Sequence, residues 1–248
     1  MFLKKLTCFL TMLFMHTQLF AADITLLAST GVSSMMKVVL ADFEKKTGHN
    51  IKVSYDTSNL LMKRIQAGEL VDLVILTAPL IDELTQSGKL TSGSRVDLAK
   101  SGIGVAIQSG KVKPDISTPE GLKKALLESN SVAYTATGAS GIYFSKVIDQ
   151  LGIGEQVRAK AKTPAGGIIA EIVAKGDAEM GVQMISELTG VRGTQLVGPL
   201  PGNLQMFTVF SAGVTKEAKD PKVVQSLIKF LTTPESIAVY KQQGMEPI

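Results

Sequence analysis

The chain has little of the side-chain chemistry on which most enzymes and metalloproteins depend. Its 248 residues include one Cys, two His and no Trp. A disulfide framework needs paired Cys, and a structural zinc site needs about four His or Cys ligands, so neither can be built here. The 26 Lys plus Arg are interspersed with 22 Asp plus Glu along the chain, which leaves no basic stripe for nucleic acid. No apolar run approaches the ~20 residues that cross a bilayer. Neither GxxxxGK[ST] nor GxGxxG follows a strand pattern, so the nucleotide-binding fingerprints are missing. No cofactor and no metal are expected. What is present, 45% hydrophobic and 19% charged residues, is the composition of an ordinary folded protein with a substantial core.

The N-terminus reads as a leader. Lys4 and Lys5 precede an apolar stretch over 6–15, and Ala21-Ala22 closes a more polar piece. That layout is a secretory signal peptide, with cleavage expected after Ala21 or Ala22 and a soluble periplasmic product. Cys8 lies inside the apolar segment without a small-residue pair ahead of it, and is not read as a lipid attachment site. Removal of the leader leaves no Cys and a single His. That residue, His49, follows Thr47-Gly48, a Gly-marked helix end expected to be solvated. Nucleophilic catalysis thereby loses its usual base.

Along the remaining chain, apolar β-rich runs alternate with amphipathic stretches. Strands are expected over 24–28, 51–55, 73–76, 103–108, 131–135, 180–184 and 205–212. Helices are expected over 33–47, 60–67, 80–86, 120–128, 141–151, 167–174, 220–231 and 234–243. Tandem βα units without a long linker give an α/β fold of two lobes, each a mainly parallel sheet flanked by helices. The boundaries expected are 1–21 for the leader, 22–102 for the first part of lobe 1, 103–204 for lobe 2 and 205–248 for the closing part of lobe 1. The chain would cross between lobes near 99–104 and 204–207.

Small polar residues cluster where strands hand over to helices. Ser29-Thr30-Gly31, Asp56-Thr57-Ser58-Asn59 and Thr135 through Gly141 each put hydroxyls and free N–H groups at a helix start, where the dipole favours an anion. Ser, Thr and Asn are also the best N-caps, so each turn alone reads as a cap. Three of them in both halves, beyond the carboxyl ends of strands, point to a shared ligand cleft.

The segments Ile24-Thr-Leu-Leu-Ala-Ser-Thr-Gly31, Tyr55-Asp-Thr-Ser58, Gln66-Ala-Gly followed by Asp72-Leu-Val-Ile75, Ser140-Gly-Ile-Tyr143 and Ala178-Glu-Met-Gly181-Val resemble the periplasmic molybdate-binding protein family of ABC importers. The resemblance runs through most of the chain. It implies a two-lobed type 2 periplasmic-binding-protein fold, no catalysis, and a small anion held between lobes by hydroxyls and N–H groups. Delivery to the membrane permease of an ABC importer is implied, with a monomer expected. Carried over by position, the family's contacts fall at Thr30 and Gly31, Ser58, Ser140, Gly166 and Met184. This chain departs from the family at two of them, with Gly31 for a Ser and Met184 for a Tyr. Ser29 or Thr30 is then expected to supply the first hydroxyl, and Gln183 or Ser186 the second. A thioether donates nothing and offers an adaptable apolar surface. A small organic carboxylate is therefore expected to bind at least as well as a molybdate-like oxyanion.

Three further readings concern single residues. Lys63 and Arg64 read as an outward-facing charged pair. Glu187 reads either as a contact to a ligand or as a helix-start carboxylate. Gly138-Ala-Ser140-Gly141 lacks the GxSxG spacing and a base, so a secreted hydrolase using Ser140 is the weaker alternative.

Overall fold

Two sheets share one long strand, and the cleft lies where that strand passes from one to the other. The computed structural model describes residues 21–248. The leader, apart from Ala21, and Cys8 within it lie outside the described residues. The first sheet begins with β1 (Asp23–Ser29), α1 (Ser33–Thr47), β2 (Asn50–Asp56), α2 (Ser58–Gln66), β3 (Leu73–Thr77) and α3 (Ala78–Gln86). β1 is parallel to both β2 and β3. The periodicity of α1 turns Met36, Val39, Leu40 and Phe43 inward, and the helix stops at Gly48 with φ 74°. β3 reads Leu-Val-Ile-Leu-Thr and is buried throughout, as a strand covered on both faces should be.

β4 (Val96–Gln108) is 13 residues long. Its residues 96–102 pair antiparallel with β9 (Phe207–Val214), whereas residues 103–108 pair with strands of the second sheet. Between them the chain forms α4 (Pro119–Glu128), β5 (Val132–Ala133), α5 (Ala139–Gln150), α6 (Gly154–Arg158), β6 (Ala161–Lys162), α7 (Ile169–Ala174), β7 (Met180–Met184), α8 (Ile185–Leu188) and β8 (Thr194–Pro199). β5 is parallel to β6 and β7, and β7 and β8 run antiparallel to β4. After β9, α9 (Pro221–Leu231), α10 (Pro234–Gln242) and β10 (Glu246–Pro247) pack on the first sheet.

The crossing point is stitched by a side chain. Where the β9 ladder ends, Gln205 Oε1 accepts from the Ile103 N–H at 2.8 Å and its Nε2 donates to the Ile103 carbonyl at 2.9 Å. One amide thus satisfies both polar groups of the residue that has just left the first sheet. The expected strand over 103–108 is the second half of β4. Its first half, Val96-Asp-Leu-Ala-Lys-Ser-Gly, lacks an apolar run, so the lateral pairing with β9 decides it.

One expectation about a single residue changes. His49 is buried, not solvated: its Nδ1 accepts from the Ala22 N–H at 3.1 Å and its ring stacks on Phe43. Arg64 lies at the surface and is paired there: it holds Glu69 through two bonds of 2.6 Å and donates to Ser54 at 3.0 Å.

Asp72, at the start of β3, is the main polar clamp of the first sheet. Its buried carboxylate accepts from the Thr25 N–H at 2.7 Å, the Thr25 hydroxyl at 2.6 Å and the Lys219 N–H at 2.8 Å, so it ties β1, β3 and the segment after β9 together. An amide cannot accept from all three. Asp72→Asn should lower stability by about 2–3 kcal/mol, read as a fall in denaturation midpoint at unchanged slope; an unchanged midpoint would contradict the clamp.

Candidate functional site

Helix starts from both sheets converge on one small cavity. From the first sheet come Ser29, Thr30 and Gly31 in the turn after β1, Thr57 and Ser58 at the start of α2, Thr77 at the end of β3, and Phe210 of β9. From the second come Thr135, Gly138, Ala139 and Ser140 at the start of α5, with Gln183, Met184 and Glu187 at the end of β7 and on α8. No Lys or Arg is among the described residues that line it. Among the described residues no cluster of His, Cys, Asp and Glu could hold a metal ion, and no helix is long and apolar enough to cross a membrane.

The hydroxyls are oriented by what they accept. Ser58 Oγ accepts from the Thr77 N–H at 3.3 Å and Ser29 Oγ from the Gly31 N–H at 3.4 Å, which leaves each hydroxyl hydrogen free to donate to a ligand. Ser140 is buried, and among the described residues its hydroxyl has no protein partner. It sits in the first turn of α5, whose N-cap is Gly138 and carries no side-chain cap. The first N–H groups of α5 are therefore left for a ligand. The backbone here is close to its neighbour: a Cβ on Gly141 would lie 1.8 Å from the Thr135 carbonyl oxygen.

Seven of the residues expected to contact the ligand line this cavity: Ser29, Thr30, Gly31, Ser58, Ser140, Gln183 and Met184. Gly166 does not. It lies at the mouth, where a Cβ would be 3.2 Å from Asp56 Oδ1 and from the Thr57 methyl. The mouth is latched beside it, with the Thr57 and Thr137 hydroxyls 3.1 Å apart and Asn59 Nδ2 donating to the Thr137 carbonyl at 2.8 Å. The two lobes are thus closed on the cavity.

Gly31 has a definite steric cause. A Cβ there would stand 2.3 Å from Phe210 Cζ, so the Phe210 ring fills the space a serine side chain would need. Phe210 and Met184 give the cavity an apolar wall. The second lost hydroxyl is not replaced by either expected neighbour. Ser186 Oγ donates away from the cavity, to the Gly31 carbonyl at 2.7 Å. The Gln183 amide is fully engaged, accepting from the Ile169 N–H at 2.7 Å and donating to the Gly167 carbonyl at 2.8 Å and to Glu187 Oε1 at 3.0 Å.

Glu187 is the titratable group of the cavity, and its burial was not legible in the sequence. Oε2 accepts from the Met184 N–H at 3.3 Å, closing the first turn of α8. Burial pushes its carboxyl from the ordinary 4.5 up to about 7, against the moderating Thr30 hydroxyl and Met184 N–H. Among the described residues no charged side chain acts on it: Lys37 and Glu171 on neighbouring helices are exposed, Asp97 pairs with Arg95, and Lys100 pairs with Glu246. Among the described residues Ser140 bonds to no acid or base, and His49 stacks on Phe43 beside Ala22, so the hydrolase alternative lacks an activated nucleophile.

The model of the bacterial extracellular solute-binding protein family matches residues 24–246. A protein from Pseudomonas sp. named aconitate isomerase is 30% identical over 247 residues, covering 96% of this chain and 94% of its own. The molybdate-binding protein ModA of Azotobacter vinelandii is 28% identical over 238 residues, with 90% of each chain covered. The solved periplasmic molybdate-binding protein of Azotobacter vinelandii superposes with a TM-score of 0.75 at 18% identity, over 90% of this chain and 98% of that one. The last comparison speaks to fold alone, which is that of type 2 periplasmic binding proteins.

Because the folded protein holds the Glu187 proton to higher pH than the unfolded chain does, stability conferred by the neutral acid is complete below about pH 4.5 and is lost as pH rises toward 7. The loss is on the order of 3 kcal/mol. Melting temperature of the ligand-free protein should fall between pH 5 and 7.5, and Glu187→Gln should flatten that slope. A flat wild-type profile would contradict the burial of an ionisable group.

Proposed function

The chain belongs to the bacterial extracellular solute-binding protein family, and on that premise we propose that it captures a small organic acid bearing carboxylates in the closed cleft. The observation that carries this reading is the pairing of anion-binding helix starts from both lobes with an apolar wall of Phe210 and Met184. Ser58 and Ser29 donate from one lobe, Ser140 and the free N–H groups of α5 from the other. A tetrahedral oxyanion has no use for the ring and the thioether, and a ligand with carbon does. The relative named aconitate isomerase, alike over nearly the whole of both chains, favours a di- or tricarboxylate of that class. The protein acts in the periplasm after loss of residues 1–21 and hands its ligand to the permease of an ABC importer. A second reading, in which the bound acid is isomerised before release, is favoured by one observation, the buried carboxyl of Glu187 on the cavity wall.

A thermal-shift panel of molybdate, tungstate, sulfate, phosphate, citrate and both isomers of aconitate tests the ligand class, since a ligand that binds only the folded state raises its stability with concentration. An aconitate or citrate should give the largest shift. Ser58→Ala and Ser140→Ala should each weaken that ligand by about 10-fold or more in calorimetry, with little change in the melting temperature of the free protein. Strong stabilisation at micromolar concentration by molybdate and tungstate alone would overturn the organic-acid reading.

A further inference from the structure

A carboxyl group on the wall of an anion cleft is out of place unless its proton is used. Ser29, Ser58, Ser140 and the first N–H groups of α5 are free to donate there, whereas an ionised Glu187 repels the ligand and is costly to bury. Yet Glu187 is held firmly in that position. Gln183, itself immobilised by Ile169 and Gly167, donates to Oε1, the Met184 N–H donates to Oε2, and Ser186 anchors α8 to the other lobe through the Gly31 carbonyl. Both oxygens are thereby oriented while the residue still faces the cavity.

We infer that Glu187 is the catalytic acid–base group of a proton shift on a bound unsaturated carboxylate, an assignment that rests on the organic-acid reading above. The ionised carboxylate takes a proton from a methylene carbon next to a carbon–carbon double bond. The C–H electron pair joins the three-carbon allylic system, and charge spreads onto the ligand's carboxylate oxygens. Those oxygens lie against Ser58, Ser140 and the N–H groups of α5, donors aimed before the reaction begins. The acid so formed delivers that proton, or a solvent proton exchanged onto it, to the far carbon of the allylic unit, and the double bond ends one carbon away. Atoms and electrons balance without a further reactant. In propene-1,2,3-tricarboxylate the shift exchanges the roles of the two arms and so interconverts cis and trans isomers.

The test is proton NMR of the full mature protein with trans-aconitate in D₂O between pH 6 and 9, with thermal shifts recorded on the same samples. The expected result is loss of the methylene signal to deuterium and growth of cis-aconitate, at a turnover rate that rises with pH as the Glu187 acid of the complex ionises. Glu187→Gln should slow exchange by about 100- to 10,000-fold while still being stabilised by the ligand. Glu187→Asp, which retains the acid, should recover part of the rate, and it decides the matter with the wild-type pH profile if the Gln variant does not fold. Binding by the wild type without exchange or interconversion overturns the proton shift and leaves the organic-acid reading standing. Failure of both isomers of aconitate to bind overturns the proton shift, and failure of citrate as well overturns the organic-acid reading. Undiminished exchange in a folded Glu187→Gln variant removes Glu187 from the reaction.

Discussion

An anion enclosed in a cavity without a lysine or arginine must be neutralised by dipoles, and dipoles act only at short range and in the right direction. That requirement organises the architecture around the cleft. α2 and α5 belong to different sheets, yet both begin at the cavity, and α5 begins without a side-chain cap. Ser29 and Ser58 spend their acceptor capacity on backbone N–H groups, which turns their hydrogens outward. The close approach of Thr135 over the α5 N-terminus leaves no space for a Cβ at Gly141. Donors are divided between lobes, so the full set exists only when the lobes meet. The contacts of Thr57 and Asn59 with Thr137 hold that state.

The same constraint explains why Glu187 is unusual. In a cavity filled by donors, a buried carboxyl raised to about 7 is neutral whenever a neighbouring anion pushes it further in the same direction. It then joins the donors, and binding becomes coupled to proton uptake. The proton it carries is also the one a bound carbon acid exchanges, so affinity and turnover should respond to pH in opposite senses. Phe210 contributes to the same specialisation. By occupying the space above Gly31 it exchanges a polar contact for an apolar wall.

Much of the scaffold was legible because its signals are local. α1 and β7 fall on the expected residues, since helical periodicity and a short apolar run each declare themselves within one segment. The first half of β4 and all of β8 were not, because neighbouring strands and not their own composition make them strands. The polar turns at Ser29, Ser58 and Ser140 were visible as N-cap chemistry beyond strand ends. Gly31 was visible as a departure, but its cause lies on β9, far along the chain. Gln183 and Ser186 were expected as spare donors, and only long-range partners reveal that both are already engaged. Glu187 was noticed as a helix-start carboxylate, while its burial depends on α8 being packed against both lobes.

The central claim is that the ligated cleft holds Glu187 in its neutral form. Calorimetric titration of trans-aconitate at pH 8, repeated in buffers of different ionisation enthalpy, counts the protons that accompany binding. With the free carboxyl near 7 and mostly ionised at that pH, the account requires uptake of most of one proton by the wild type and none by Glu187→Gln. Tight binding by the wild type with an observed enthalpy independent of buffer would contradict it.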